Sequence, residues 1–388
     1  MAQTPEGSDP FDVPLLREIQ RVLLAGGGPV NWELARQVGI AGASWGQPDA
    51  EPSDEDARAL AEHVRMAELA VAEVTGLAAP AEVAHARAVR RAAWVEGNVR
   101  GLQGLFEPGA ERLARALADA GPEEPAEAAA GTQMFDALLD RIAPLLMGAQ
   151  VGTVLGALGQ RVLGQYDLPL PRGEPPALLF VVPNIVALER EWSLEPVEFR
   201  AWVALHETAH AFQLGRPWVR EHVLGMVREL AQGMEFDLSG LEQRLEGLDL
   251  SNPQQLSEAL TRPGTALEGT LTDDQRLLLR RMRAFVAAAE GHADHLVERV
   301  GRRLLRSFDR IDEALRRRRE GRGDDERAVE RMLGIELNLE DERLGRRFCD
   351  RVSELTDERT LARMWEAPEA LPSMPELEEP TLWLSRIA

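Results

Sequence analysis

The sequence has no lysine. All 44 of its basic side chains are arginine, and they face 65 aspartates and glutamates, giving a formal net charge of -21. Without a surplus of positive charge there is no field to release counterions from phosphates or anionic lipid, so no nucleic acid partner is expected. Cysteine is nearly absent too. Cys349 stands alone, which excludes an intrachain disulfide framework and any zinc or iron-sulfur site built on several thiolates. Tyr166 is the only tyrosine, and there are 7 histidines. The opening MAQTPEGSDPFD lacks the basic start and apolar run of a secretion signal, so the expected location is cytoplasmic. With 388 residues, 44% of them hydrophobic, the chain has ample material for a buried core.

The pattern is mainly helical. Residues 1–12 read as a tail, and the glycines of Ala25 to Pro29 as a turn. From Ser53 to Gly76 and from Ala79 to Ala120, apolar positions recur three and four apart, which predicts long amphipathic helices. Gly121 to Glu127 is proline-rich and acidic and reads as a linker. Ile142 to Gln160 carries no formal charge, long enough to raise the question of a membrane span. Pro144, Gln150, Thr153 and the absence of a basic flank favour a packed helix instead, with Gly148, Gly152 and Gly156 allowing a neighbouring backbone to come close. No stable membrane insertion is expected.

After the proline-interrupted stretch Asp167 to Pro176, Ala177 to Val182 has the composition of a short buried strand that stops at Pro183 and Asn184. As an alternative to a buried strand, Val181 to Asn184 are a candidate edge for an extended peptide. Ser193 is a candidate cap for a helix carrying Phe199, Trp202, Val203 and Leu205. Further helices are expected over Val219 to Met234, over Leu277 to Leu305 behind a Thr272/Gln275 capping box, and over Glu340 to Val352. Asn252 to Gly269 reads as a variable loop, Ser307 to Arg327 as a solvated helix and turn including the run Asp324 to Glu326, and Pro368 to Pro380 as a proline-punctuated tail.

His206-Glu207-Thr208-Ala209-His210 is an HExxH sequence in a helical context. Side chains four apart share a face, so both imidazoles can reach one Zn2+ while Glu207, one position on, can act on an attacking water. A second helix carries Glu290-Gly291-His292-Ala293-Asp294. Glu290 is the preferred third metal ligand, and Asp294, one turn on, can accept a hydrogen bond from a ligand histidine. His292 points about 200° and His295 about 140° away from Glu290 on a straight helix, so both are weaker alternatives, as is His222. Tyr166, Arg216, His222 and His292 are candidate oxyanion or substrate contacts, since each can donate a hydrogen bond or positive charge. His63 and His85 lack paired metal spacing. Trp94, Trp202, Trp218 and Trp365 are read as packing residues before any groove lining.

HExxH followed on another helix by ExxxD resembles the thermolysin-like branch of the zincins, although the interval from His210 to Glu290 is longer. More closely, AQVGTVLGALGQRVLGQYDLPLP at 149–171, LLFVVPNI at 178–185, WVALHETAHAFQL at 202–214 and AAAEGHADHLVERV at 287–300 resemble a bacterial family of zincin-like metallopeptidases, type 2. WVEGN at 94–98 and WEAPE at 365–369 belong to the same likeness. The sequence departs from that family's second motif at His292, where an aromatic residue usually stands. The resemblance implies a zinc site and peptide-bond hydrolysis.

The expected architecture is therefore mainly α: a zincin-like catalytic region with a small β element and additional packed helices. Residues 1–125 would form an amino-terminal helical region, 126–305 the metal-binding region, and 306–388 a carboxy-terminal helical extension packed on it. The expected function is a zinc-dependent metallopeptidase acting on a peptide or protein substrate. The alternatives are another zinc-dependent amide or ester hydrolase, and a noncatalytic helical scaffold that keeps a metal site.

Overall fold

The computed structural model describes residues 28–81, 83–119, 129–166, 177–233, 272–320 and 339–387. Helices account for most of them: α1 (Trp32–Ala43), α2 (Asp54–Thr75), α3 (Arg91–Asp119), α4 (Ala129–Gly159), α5 (Val182–Glu191), α6 (Pro196–Leu214), α7 (Pro217–Gln232), α8 (Asp273–Leu304), α9 (Phe308–Glu320), α10 (Leu339–Leu355), α11 (Glu358–Ala362), α12 (Met374–Glu378) and α13 (Pro380–Ile387). Two three-residue strands, β1 (Arg87–Val89) and β2 (Leu179–Val181), pair in parallel. The protein is thus mainly α with a small β element. One hydrophobic core runs through the described residues from Val30 to Trp383.

Local chemistry sets the helix ends. Ser53 accepts from the Asp56 amide while the Asp56 carboxylate accepts from the Ser53 amide, and Gly76 closes α2 in a left-handed conformation. Thr272 and Gln275 make the same reciprocal box at the start of α8, as their spacing predicts. Ser193, in contrast, is not a cap. It sits at φ 49, and Glu195 caps α6 by accepting from the Glu198 amide at 2.8 Å, with Pro196 in the first turn where its missing N–H costs nothing.

α6 is the buried axis of the fold. Every residue from Trp202 to Leu214 is buried, so beyond its first turns this helix has no solvent face. It packs against α2 and α8. Arg200 ties its first turns to α2 and α5 through Asp56 at 2.7 Å and Glu189 at 2.8 Å.

Two helix pairs approach backbone to backbone. α4 lies on α1, where a Cβ at Gly152 would meet the Ala35 carbonyl oxygen at 2.7 Å and one at Gly156 the Gly42 Cα at 2.9 Å. The uncharged stretch is therefore a packed helix, and among the described residues no helix is long and apolar enough to cross a membrane. α10 meets α8 still more closely: a Cβ at Gly345 would run into the Ala287 carbonyl, and one at Gly291 into the Gly345 backbone. Arg283 and Asp341 fasten the same pair with a bidentate ion pair.

Three further expectations are corrected. The helix predicted from Ala79 begins only at Arg91, because residues 83–89 form a short 3-10 turn and β1. Pro368 to Pro380, expected as a proline-punctuated tail, is folded: Pro368, Pro375 and Pro380 open short helical turns, and Leu377 is buried. β2 is not a free edge: β1 pairs along one side, and on the other Gly164 bridges Phe180 while the Val181 amide donates to the Leu163 carbonyl at 2.8 Å. The strand is buried throughout, with Pro183 ending it by opening α5. The readings of 1–12, Gly121 to Glu127, Asp167 to Pro176, Asn252 to Gly269 and Asp324 to Glu326 lie outside the described residues.

Candidate metal centre

α6 and α8 pack side by side, and that contact brings the two sequence motifs together. His206 and His210, one turn apart on α6, stand edge to face with ring centroids 4.7 Å apart. Glu290 of α8 faces them, its Oε1 4.0 Å from His210 Nε2. One ligand atom from each of His206, His210 and Glu290 lies within 4.8 Å of the others. Ligands of a tetrahedral zinc ion sit about 3.4 Å apart, so a small inward movement would close the set.

The protonation chemistry fits a cation between them. His210 is fully buried, and its Nε2 has no hydrogen-bond partner among the described residues. An orphaned buried nitrogen is costly unless something accepts its lone pair. Burial, and then the charge of His206, push the His210 pKa well down, which keeps the ring in the neutral form that binds metal. At His206 burial opposes the charged form, but Glu207, Glu290 and Asp294 outweigh it and raise the pKa. An excess of negative charge thus surrounds the pair. Trp202 stacks on His206, centroids 5.0 Å apart and planes 14° from parallel, which fixes that ring's orientation.

Backbone holds one oxygen of the Glu207 carboxylate. The Tyr166 amide donates to its Oε2 at 2.7 Å. Gly164 passes so close that a Cβ there would lie 2.6 Å from Oε1. This segment is itself pinned, since Trp94 Nε1 donates to the Gly164 carbonyl at 3.0 Å and Gln165 bonds to Asn98 at 2.8 Å. Trp94 is completely buried, in keeping with its reading as a packing residue.

His210 is supported from its other nitrogen by Gln213, whose Oε1 lies 3.0 Å from His210 Nδ1. Gln213 Nε2 reaches His292 Nδ1 at 2.9 Å, and Trp365 Nε1 donates to that same nitrogen at 3.1 Å. Burial, then the neighbouring His295, push His292 down to about 3, so it is a neutral ring. His292 therefore sits on the side of His210 opposite the nitrogen that faces Glu290. The Asp294 charge acts on both His206 and His210.

The remaining candidates are placed as follows. Tyr166 is buried with its ring 6.4 Å from that of His210. Arg216 donates from Nε to the Phe212 carbonyl at 3.3 Å, its pKa lowered by burial against the opposing charge of Glu366. His222 packs edge-on against Trp218, its pKa lowered by burial and by Arg281. His295 lies between Asp350 at 2.6 Å and Glu358 at 3.0 Å. The structure thus gathers His206, Glu207, His210, Glu290, Asp294 and Tyr166, and gives Arg216, His222 and His295 partners elsewhere.

Residues 30–384 match the profile of the zincin-like metallopeptidase family. The chain belongs to that family. Zincin-like metallopeptidases are metal-dependent hydrolases, typically of zinc, so membership and the His-His-Glu cluster point to the same class. The chain is also similar to a candidate hydrolase with a novel fold from Chloroflexus aurantiacus, known from a crystal structure. The two are 28% identical with a TM-score of 0.65, over 92% of this chain and 98% of that one. No match is found among curated proteins.

Sequence reading missed Gly164, Gln213 and the role of Trp365. Gln213 carried a legible signal, standing three residues after His210 and hence on its face. Gly164 and Trp365 did not, because each reaches the site only through long-range packing.

Proposed function

We propose that the protein is a zinc-dependent metallopeptidase in which His206, His210 and Glu290 hold the metal and Glu207 is the general base. The observation that carries the reading is the convergence of three ligand atoms from α6 and α8 to within 4.8 Å. Zinc, when bound, supplies Lewis-acid polarisation of the scissile carbonyl. Glu207 takes the proton of the attacking water and delivers it to the leaving nitrogen. The Tyr166 amide, by holding Oε2, keeps that carboxylate from turning away. Asp294 adds negative charge beside the two histidines. Tyr166 is the favoured oxyanion donor among the four candidates, because its ring stands beside that of His210, 6.4 Å away between centroids.

A second reading is favoured by enclosure. The side chains of His210 and Glu290 are only 0% and 13% exposed, and that of His206 11%. A site this closed suits a small amide or ester better than a long peptide. Both readings keep the same base and metal residues. The test is zinc analysis together with hydrolysis of substrates graded in length, from acyl-amino acids to decapeptides, by the wild type and Glu207→Gln. The expected result is about one zinc in both proteins and turnover only in the wild type. Turnover confined to the shortest substrates would move the second reading ahead. Bound zinc with no turnover of any substrate would favour a noncatalytic scaffold.

A further inference from the structure

His210 has two nitrogens, and only one can face a metal. A neutral imidazole carries its proton on the other, so whatever bonds to Nδ1 decides whether Nε2 offers a lone pair. The partner of Nδ1 is Gln213, whose amide could present either oxygen or nitrogen. His292 and Trp365 remove that freedom. An indole N–H can only donate, and Trp365 Nε1 points at His292 Nδ1, so that nitrogen is an acceptor. The Gln213 atom facing it at 2.9 Å must then be the amide nitrogen, which turns the amide oxygen toward His210 Nδ1 at 3.0 Å. All four side chains are buried, so no bulk solvent competes for these bonds.

We infer that Gln213, oriented by His292 and Trp365, is a positioning residue that fixes the proton of His210 on Nδ1 and leaves Nε2 as the metal-binding lone pair. His210 Nε2, which has no hydrogen-bond partner among the described residues, is the nitrogen this tautomer leaves open toward Glu290. A consequence is that the segment around Trp365, more than 150 residues beyond the HExxH helix, helps set metal affinity. The metal arm of the inference rests on the zinc-site reading above. The tautomer arm does not.

The experiment uses the full-length protein with 15N-labelled histidine, freed of metal, and reads the His210 ring by long-range 1H–15N correlation. The His210 signals are identified by their loss in His210→Asn. Zinc affinity is measured in parallel by competition with a chromophoric chelator. The wild type should show His210 protonated at Nδ1. Gln213→Leu should lose that single tautomer and bind zinc about 10- to 100-fold more weakly. Gln213→Glu, which keeps an oxygen for His210, should bind more tightly than Gln213→Leu, and Trp365→Phe should weaken zinc binding by a smaller factor.

A metal-free wild type protonated at Nε2 would overturn the inference. So would Gln213→Leu with unchanged tautomer and affinity, or Gln213→Glu as impaired as Gln213→Leu. If Gln213→Leu does not fold, the wild-type tautomer and the two milder variants decide. A wild type that binds no zinc counts against the zinc-site reading alone, while the tautomer still decides the role of Gln213.

Discussion

Gly164 lies against Glu207 so closely that the smallest side chain at position 164 would occupy the space of the carboxylate, 2.6 Å from Oε1. Glycine is required there because the chain must bring the Tyr166 amide onto the other oxygen while passing alongside the first. Gly164→Ala should therefore displace Glu207 without touching a metal residue. We expect kcat/KM to fall about 100-fold, the scale of an ångström-sized misplacement, with zinc content unchanged. Steady-state kinetics beside metal analysis on the folded variant checks this, and a fully active Gly164→Ala would sink the backbone-cradle account.

In the proposed centre Glu290 is the ligand contributed by the second helix. Glu290→Gln removes its charge while keeping its size, so zinc affinity should fall by more than the roughly 100-fold ceiling typical of groups behind the ligands. Stripping zinc from the wild type with a chelator should also lower its melting temperature. A ligand present at 1,000 times its Kd stabilises by about 4 kcal/mol. Glu290→Gln should lose both zinc and this chelator sensitivity, measured by calorimetry. Equal retention of zinc by the variant would argue for a different third ligand.

Gly345 is a stability site rather than a catalytic one. Its missing side chain lets α10 rest on the Ala287 carbonyl of α8, so Gly345→Ala must push two helix backbones apart. The expected cost is about 2 kcal/mol or more, at the upper part of the range for overpacking because no flexible side chain is available to yield. Urea unfolding of the two proteins reads it directly. Because α8 also carries Glu290, a weakened zinc affinity should accompany the loss.

His295 gives the fold a pH-dependent clasp between α8 and the α10–α11 segment. Burial opposes its charge, but hydrogen bonds to Asp350 and Glu358 raise its pKa above the ordinary value, while His295 and Arg346 hold Asp350 low and His295 holds Glu358 low against their burial. A raised histidine pKa contributes stability that is fully present below the unfolded value of about 6.5 and fades as pH rises through the folded value. The lowered carboxylates contribute stability present above about pH 4.5 and lost as pH falls through their folded values. The melting-temperature difference between wild type and His295→Gln should thus peak between about pH 5 and 6.5 and shrink on both sides. A difference independent of pH would show that His295 acts by shape alone.

Much of this was legible before the structure. His206 with His210, and Glu290 with Asp294, were readable as pairs because helical spacing alone places residues four apart on one face, and the Thr272 box and the Gly148 to Gly156 series were readable for the same local reason; the packing of α6 on α8 that joins the two pairs was not. β1 was not, because three residues reading Arg-Ala-Val carry no period and the strand exists only through its pairing with β2. Ser193 failed as a cap because Glu195 and Pro196 supplied a better helix start two residues later. Trp365 was visible as a packing residue, but its bond to His292 depends on how a distant turn is folded back onto α8.

The short strand beside the site has one further consequence. With β1 on one flank and the Leu163–Gly164 backbone on the other, β2 has no open row of amides and carbonyls with which to register an incoming chain. Main-chain pairing is the device that lets a protease tolerate many sequences, since every substrate offers the same backbone. An enzyme denied it must discriminate by side-chain shape and charge. Under the proposed function, that is how a substrate bordering β2 would be selected.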